Sequence, residues 1–305
     1  EIGGAERQLI LLAMEQAKRG NKVHIAMRRV GEFTKLINTD LVSLHIIGDY
    51  TGLHPLLFLK LQRLIGKISP DIIQSWLTQM DIVAGILAIV NHISWVATER
   101  SSPGGYKNIR GTLKNFLRRK TMSFSSVIVA NSTSGAQMWK KNSARSHVVC
   151  IGNAIDLAGI SNQLKCKPRA ISKTNNVIMV GRFIESKGFS EVLAAGHECP
   201  SDFNLTFTII GSGSPDAALA SQIARYDDSE RLTIIQNQGE WWSHLVNAKM
   251  LISMSRFEGH PNVLLEAVAS GCPVIVSDIP AHREVLRDDA AIFVPLDDEV
   301  MLIEA

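Results

Sequence analysis

The densest run of chemically capable side chains is Arg256-Phe-Glu258-Gly-His260-Pro261-Asn262-Val263-Leu264-Leu-Glu266-Ala. It follows the apolar stretch Met250 to Met254, which reads as a strand, and opens a helix over Pro261 to Ser270. Pro261 fits the first helical position, where its missing N–H costs nothing. The N–H groups of Asn262, Val263 and Leu264 would then leave the helix start and, with its dipole, suit a phosphate. Glu258 stands just before that start and Glu266 eight residues later. Carboxylates accept hydrogen bonds from hydroxyl groups, so this pair can flank a diphosphate, one toward a sugar and one toward a ribose diol. For two isolated glutamates the plainer alternative is that Glu258 complements the helix dipole and Glu266 is solvated.

Three further runs follow strands or precede helices. Val180-Gly181-Arg182-Phe-Ile-Glu-Ser-Lys187-Gly188 offers a planar guanidinium fork and a point charge, enough to neutralise a diphosphate without a metal. Gly211-Ser-Gly213 is half of a dinucleotide fingerprint, with Asp216 where the third glycine belongs. Gly3-Gly4 precedes a helix, where backbone can approach a phosphate or sugar closely. Taken singly, each is also explained by a turn or a helix start. The sequence has no G-x-x-x-x-G-K-[ST] loop and no Asp-x-Asp triplet.

In this order the four runs resemble the retaining GT-B glycosyltransferases of family 4, and the resemblance covers nearly the whole chain. Glu258-x₇-Glu266, followed by Ala267 and Gly271-Cys-Pro273-Val-Ile, matches the family's pattern closely. It implies a nucleotide-sugar donor, UDP by family frequency, and no cofactor or metal. Glu266 would take the ribose hydroxyls and Glu258 the donor sugar. Arg182 and Lys187 would hold the diphosphate as it leaves, aided by Asn262, Val263 and Leu264. Gly3, Gly4 and Gly211 would approach the donor. Thr98-Glu99-Arg100-Ser101 is similar to a Ser-Glu-Arg-Asn run in lipid-linked oligosaccharide and exopolysaccharide transferases. There Glu99 would orient the acceptor or the sugar, with a structural ion pair as the equal alternative. Asn153 and Asp156 match the family's interdomain turn. A partly exposed His260 and one core tryptophan of Trp241-Trp242 complete the reading. The implied role is transfer to a glycan or lipid-linked acceptor in cell-surface polysaccharide synthesis, exopolysaccharide or lipopolysaccharide.

These residues need strands to carry them, and the chain supplies strand-like and helix-like segments in alternation. That is the signature of α/β folds with parallel sheets. With 305 residues, two domains are expected, 1–160 for the acceptor and 161–305 for the donor, both Rossmann-like and facing a cleft. The weakly patterned stretch from Ala158 to Asn175 reads as the linker. Residues 1–165 carry a net charge of +11 and the remainder −8, which fits two domains with different partners. Family members begin with a strand before the Gly-Gly loop and end with further helices, so the sequence reads as truncated at both ends.

From 106 to 120 there are six basic residues and no acid, with Leu113, Phe116 and Leu117 interleaved. That is the pattern of a basic amphipathic helix resting on anionic lipid, or equally of a solvated face over a core stripe. No recognised module accompanies the charge, so nucleic acid is not an expected partner. Four scattered cysteines and no apolar run of about 20 residues suit a reducing cytoplasmic setting, on the inner face of the membrane. A GT-B nucleotide-sugar epimerase, an NAD-dependent dehydrogenase and a non-catalytic protein are the rival readings; the broken glycine fingerprint disfavours the dehydrogenase.

Overall fold

The computed structural model describes residues 4–100, 113–142, 146–166, 174–226, 231–236 and 241–305. The chain divides into two compact α/β units, Glu1–Ala154 and Ile155–Ala305.

The first unit runs α1 (Gly4–Lys18), β1 (Val23–Met27), β2 (Val42–Ile46), α2 (Pro55–Ile68), β3 (Ile72–Gln74), α3 (Thr78–Val90), β4 (Ser94–Glu99), α4 (Leu113–Met122), β5 (Val127–Ala130), α5 (Thr133–Asn142) and β6 (His147–Cys150). Strands β1 and β2 pair in parallel, and β3-β4-β5-β6 form a second parallel sheet in that order. Sequence chemistry sets the element ends. Pro55 starts α2 behind His54, whose Nδ1 accepts from the Leu56 N–H at 3.2 Å. The same helix stops at Ser69, left-handed at φ 50, ahead of Pro70. Around α3, Ile82, Val83, Ala84 and Leu87 are all buried, so it lies inside the unit rather than on its surface.

The second unit runs α6 (Leu157–Cys166), β7 (Asn176–Arg182), α7 (Phe189–Glu198), β8 (Thr206–Ser212), α8 (Ala217–Arg225), β9 (Leu232–Gln236), β10 (Met250–Ser253), α9 (Asn262–Ala269), β11 (Val274–Ser277), α10 (Pro280–Val285), β12 (Ile292–Val294) and α11 (Glu299–Glu304). Its six strands lie in the order β12-β11-β10-β7-β8-β9, all parallel. The chain thus builds outward from β7 to one edge, returns, and builds outward from β10 to the other. This is the doubly wound order, and its direction reverses between β7 and β10. Residues of β7 alternate between two cores. Val177 and Met179 pack with Phe207, Ile209 and Leu193; Ile178 and Val180 pack with Leu251, Leu264 and Trp241. Burial on both faces explains why this strand is a plain apolar run without polar alternation.

The expected linker over 158–175 is corrected in part, since α6 occupies its first half. Ile160, 1% exposed, anchors that helix to the core of the second unit. The apolar residues of α6, Leu157, Ala158, Ile160 and Leu164, are interrupted by glycine and polar residues, which leaves little periodicity to read.

Candidate functional site

Ligands of doubly wound sheets bind beyond the carboxyl ends of the strands, where the winding reverses. Here those ends are Gly181-Arg182 on β7 and Ser253 on β10, and the predicted residues follow directly. After β7 a 3-10 turn over Glu185–Lys187 is closed by Gly188 at φ 67. A Cβ on Gly188 would fall 2.3 Å from the Met254 carbonyl oxygen, so only glycine lets the corner before α7 press onto the end of β10. The Arg256 N–H donates to the Ser186 carbonyl at 2.9 Å, tying the two loops together. The Arg256 guanidinium binds Glu191 at 3.1 Å and Asp297 at 2.6 Å, which fixes the loop from its outer side.

Within this frame Lys187 Nζ forms an ion pair with Glu258 Oε1, and Ser255 Oγ donates to the same oxygen at 2.9 Å. Burial pushes the Glu258 carboxyl upward. The Lys187 charge, the hydrogen bonds from Lys187 and Ser255, and His282 outweigh it and hold the group below the usual carboxylate range. The network continues inward. Ser277 Oγ donates to the Ser255 carbonyl at 2.6 Å, and His282 Nδ1 lies 2.8 Å from the Ser277 carbonyl. A carbonyl only accepts, so Nδ1 carries the proton. His282 is 0% exposed, and its Nε2 has no hydrogen-bond partner among the described residues. Burial, helped by Lys187, lowers its pKa against the opposing pull of Ser277 and Glu258.

Arg182 is exposed at the end of β7, on the same edge of the sheet. Glu266 is 2% exposed, so it is not a solvated helix residue. The start of α9 differs from expectation. Pro261 is the N-cap and the helix begins at Asn262; the Leu264 N–H donates to the Pro261 carbonyl at 3.2 Å. Leu264 is also fully buried, so its N–H is withdrawn from any ligand, and Asn262 and Val263 form the leading edge. Gly211 is a buried strand residue opposite Gly181, where a Cβ would sit 2.4 Å from the Gly181 carbonyl oxygen. Close packing of β7 and β8 requires that glycine. His260 is half-buried, and both Trp241 and Trp242 pack in the core rather than one.

In the first unit, Gly3 lies outside the described residues and Gly4 opens α1. Glu99 is 0% exposed; its Oε2 accepts from Arg118 Nη1 at 3.1 Å and from Trp139 Nε1 at 2.9 Å. Arg118 also binds Asp81 Oδ2 at 2.8 Å. Two buried carboxylates thus share one guanidinium. Desolvation pushes Asp81 up to about 6, with Glu99 adding to it, against the pull of Arg118 and Ser75. Arg100 Nη1 donates to Asn153 Oδ1 at 2.8 Å, and Gln8 makes a two-way clamp with the Ala154 backbone at 2.7 and 2.8 Å. Of the basic run, 106–112 lie outside the described residues. Arg118 is corrected: it faces the buried carboxylates, leaving Lys114, Arg119 and Lys120 exposed beside Leu113 and Phe116. No helix among the described residues is long and apolar enough to cross a membrane.

Ser255, Ser277, His282 and Asp81 belong to no motif that would mark them in the sequence as part of a site, and Arg118 was marked only as part of the basic run. A faint signal exists for Ser277, which ends an apolar strand just before Ile279-Pro280, a further strand end on the edge that carries the site.

The comparisons agree with this architecture. Residues 2–158 match the model of Glycosyltransferase Family 4, and residues 161–303 match Glycosyl transferases group 1. The chain belongs to glycosyltransferase family 4. A transferase of Campylobacter jejuni, N-acetylgalactosamine-N,N'-diacetylbacillosaminyl-diphospho-undecaprenol 4-alpha-N-acetylgalactosaminyltransferase, is 24% identical over 253 residues, spanning 80% of this chain and 68% of the relative. The capsular polysaccharide biosynthesis glycosyltransferase CapH of Staphylococcus aureus is 23% identical over 298 residues, spanning 93% of this chain and 80% of CapH. Among solved structures, Anabaena HepE in complex with UDP-glucose superposes with a TM-score of 0.80 at 17% identity, over 100% of this chain and 85% of HepE. That likeness establishes the fold: two α/β units with parallel sheets, as in GT-B proteins.

Proposed function

We propose that the chain transfers a sugar from a UDP-sugar, bound in the second unit, to a lipid-linked or glycan acceptor, retaining the anomeric configuration. The observation that carries this reading is the Lys187–Glu258 pair at the reversal of the sheet, with buried Glu266 eight residues further on. Glu258, held ionised by Lys187 and Ser255, accepts from hydroxyls of the donor sugar. Glu266 accepts from the ribose, and Arg182 and Lys187 neutralise the diphosphate. No metal is needed for that neutralisation. In the front-face scheme the bond from the anomeric carbon to the diphosphate oxygen breaks as the acceptor oxygen bonds on the same face. The acceptor's proton passes to the departing phosphate oxygen, and developing charge there meets Arg182, Lys187 and the N–H groups at Asn262 and Val263. The named specificity of the Campylobacter relative and the UDP-glucose bound to HepE support an undecaprenol-type acceptor and the UDP donor respectively.

Calorimetric titration with UDP and GDP tests the donor site. UDP binding that Glu266→Ala weakens at least tenfold supports it; binding of neither nucleotide to folded wild type would refute it. A peripheral membrane role rests on exposed Leu113 and Phe116 beside Lys114, Arg119 and Lys120. Flotation with anionic vesicles tests it, and equal recovery with neutral vesicles would sink it.

A further inference from the structure

A cavity of about 270 Å³ opens in the first unit where β4 ends and α3 begins. Its described lining is rich in cations: Arg100, Lys114 and, deeper, Arg118. Glu99 is the carboxylate among them, and it is already engaged by Arg118 and Trp139. Arg100 lies over the Trp76 ring at 4.1 Å, and its Nε is buried with no hydrogen-bond partner among the described residues. Burial lowers its pKa to about 10 despite Glu99, so the fold maintains a partly desolvated cation at the cavity wall.

The start of α3 also lines the cavity, through Leu77, Thr78 and Gln79. The leading N–H groups of a helix have no intrahelical partner, and a Ser, Thr, Asp or Asn at the N-cap ordinarily covers them. Leu77 holds that position here, with no side-chain cap. It adopts φ 70 and ψ 154, a region that is essentially glycine's alone. The helix start therefore lines the cavity with no cap from the Leu77 side chain, in company with two cations whose chemistry suits a multiply charged oxyanion.

Resting on the reading that this chain serves a lipid-linked acceptor, we propose that the cavity is a subsite for that acceptor's phosphate or diphosphate ester. Arg100, through the N–H groups not donated to Asn153, and Lys114 would contact the phosphate oxygens, and the α3 N–H groups would complete the cradle. Glu99 stays bound to Arg118 and turns its negative charge away from the anion.

Titration of the full chain with farnesyl diphosphate, farnesol and UDP tests this, using wild type, Arg100→Gln, Lys114→Gln and Glu266→Ala. Farnesyl diphosphate is expected to bind wild type, with at least tenfold loss in Arg100→Gln and about threefold loss in Lys114→Gln. UDP affinity should stay within twofold in both. Glu266→Ala should show the reverse pattern. Lys114 is exposed, so its variant remains informative if Arg100→Gln fails to fold. Farnesol binding as tightly as the diphosphate would overturn the proposal, as would unchanged affinity in both basic variants. Parallel loss of UDP would assign the cavity to the donor's phosphates and overturn the acceptor source. Wild type that binds UDP but not farnesyl diphosphate would overturn this subsite and leave the donor reading standing. Failure to bind UDP and GDP is the separate result that strikes the donor reading.

Discussion

Glu258 owes its charge to its neighbours. Burial works against that charge, and Lys187 and Ser255 more than offset it. Because its folded pKa is depressed, its contribution to stability is full above the ordinary carboxylate range and is lost as pH falls through the lower folded value. Replacing Lys187 with Met should therefore move the acid limb of the kcat/KM profile to higher pH; an unmoved limb would show that Lys187 does not set that charge. Ser255→Ala should lower kcat several-fold while leaving UDP affinity unchanged, read by steady-state kinetics beside calorimetry. Asp81 has the opposite sign. Its pKa is raised to about 6, so its contribution is whole below the ordinary range and disappears as pH rises toward 6. A rise of that size is worth roughly 3 kcal/mol at most. Asp81→Asn should flatten stability between pH 4 and 6 in denaturant titrations. Glu258, Glu266, Arg182 and Lys187 stood out in the sequence through an order and spacing that resemble the family's pattern; taken singly, each had a plainer explanation. His282, Ser255 and Ser277 could not, because their roles arise from contact between adjacent strand ends.

At the scale of elements, two backbone positions carry the tension of the fold. A Cβ at Gly211 would meet the Gly181 carbonyl oxygen at 2.4 Å, so Gly211→Ala must push β7 and β8 apart. Overpacking of this kind costs about 1–3 kcal/mol, and a melting curve should fall by several degrees. Leu77 is the converse case. Its glycine-only conformation costs about 1–3 kcal/mol, so Leu77→Gly should stabilise the protein by about 1 kcal/mol after the extra entropy of the unfolded chain is subtracted. A lower melting point would contradict that. Strand positions were largely legible because Val23–Met27, Val127–Ala130 and Leu232–Gln236 are predominantly apolar segments bounded by polar residues. β2, β6, α10 and β12 were not, because each is only three to six residues long, too short to show a period; the three strands among them are defined by pairing with their neighbours.

Across the whole molecule, the winding order of the second unit selects which loops meet. UDP should slow amide exchange at the turn before α7 and at the start of α9, and leave β4 and α3 unchanged; farnesyl diphosphate should do the converse. Exchange mass spectrometry on the intact chain separates the two patterns. The two-unit organisation was legible from the alternation of elements and the opposite charges of the halves. The reversal between β7 and β10 has a consequence for how the protein comes into being. Lys187 and Glu258 are 71 residues apart in the chain and touch only once the chain has completed three strands, crossed back, and laid β10 against β7. Such distant parallel pairing is slow to form. A nascent chain that has made β7 holds its cations but has no counter-carboxylate beside them, so nucleotide capture waits for the return crossing. Once complete, a nucleotide present at a hundred times its dissociation constant adds about 2.7 kcal/mol to the folded state. Substrate supply would then set how much of the enzyme survives as well as how fast it works.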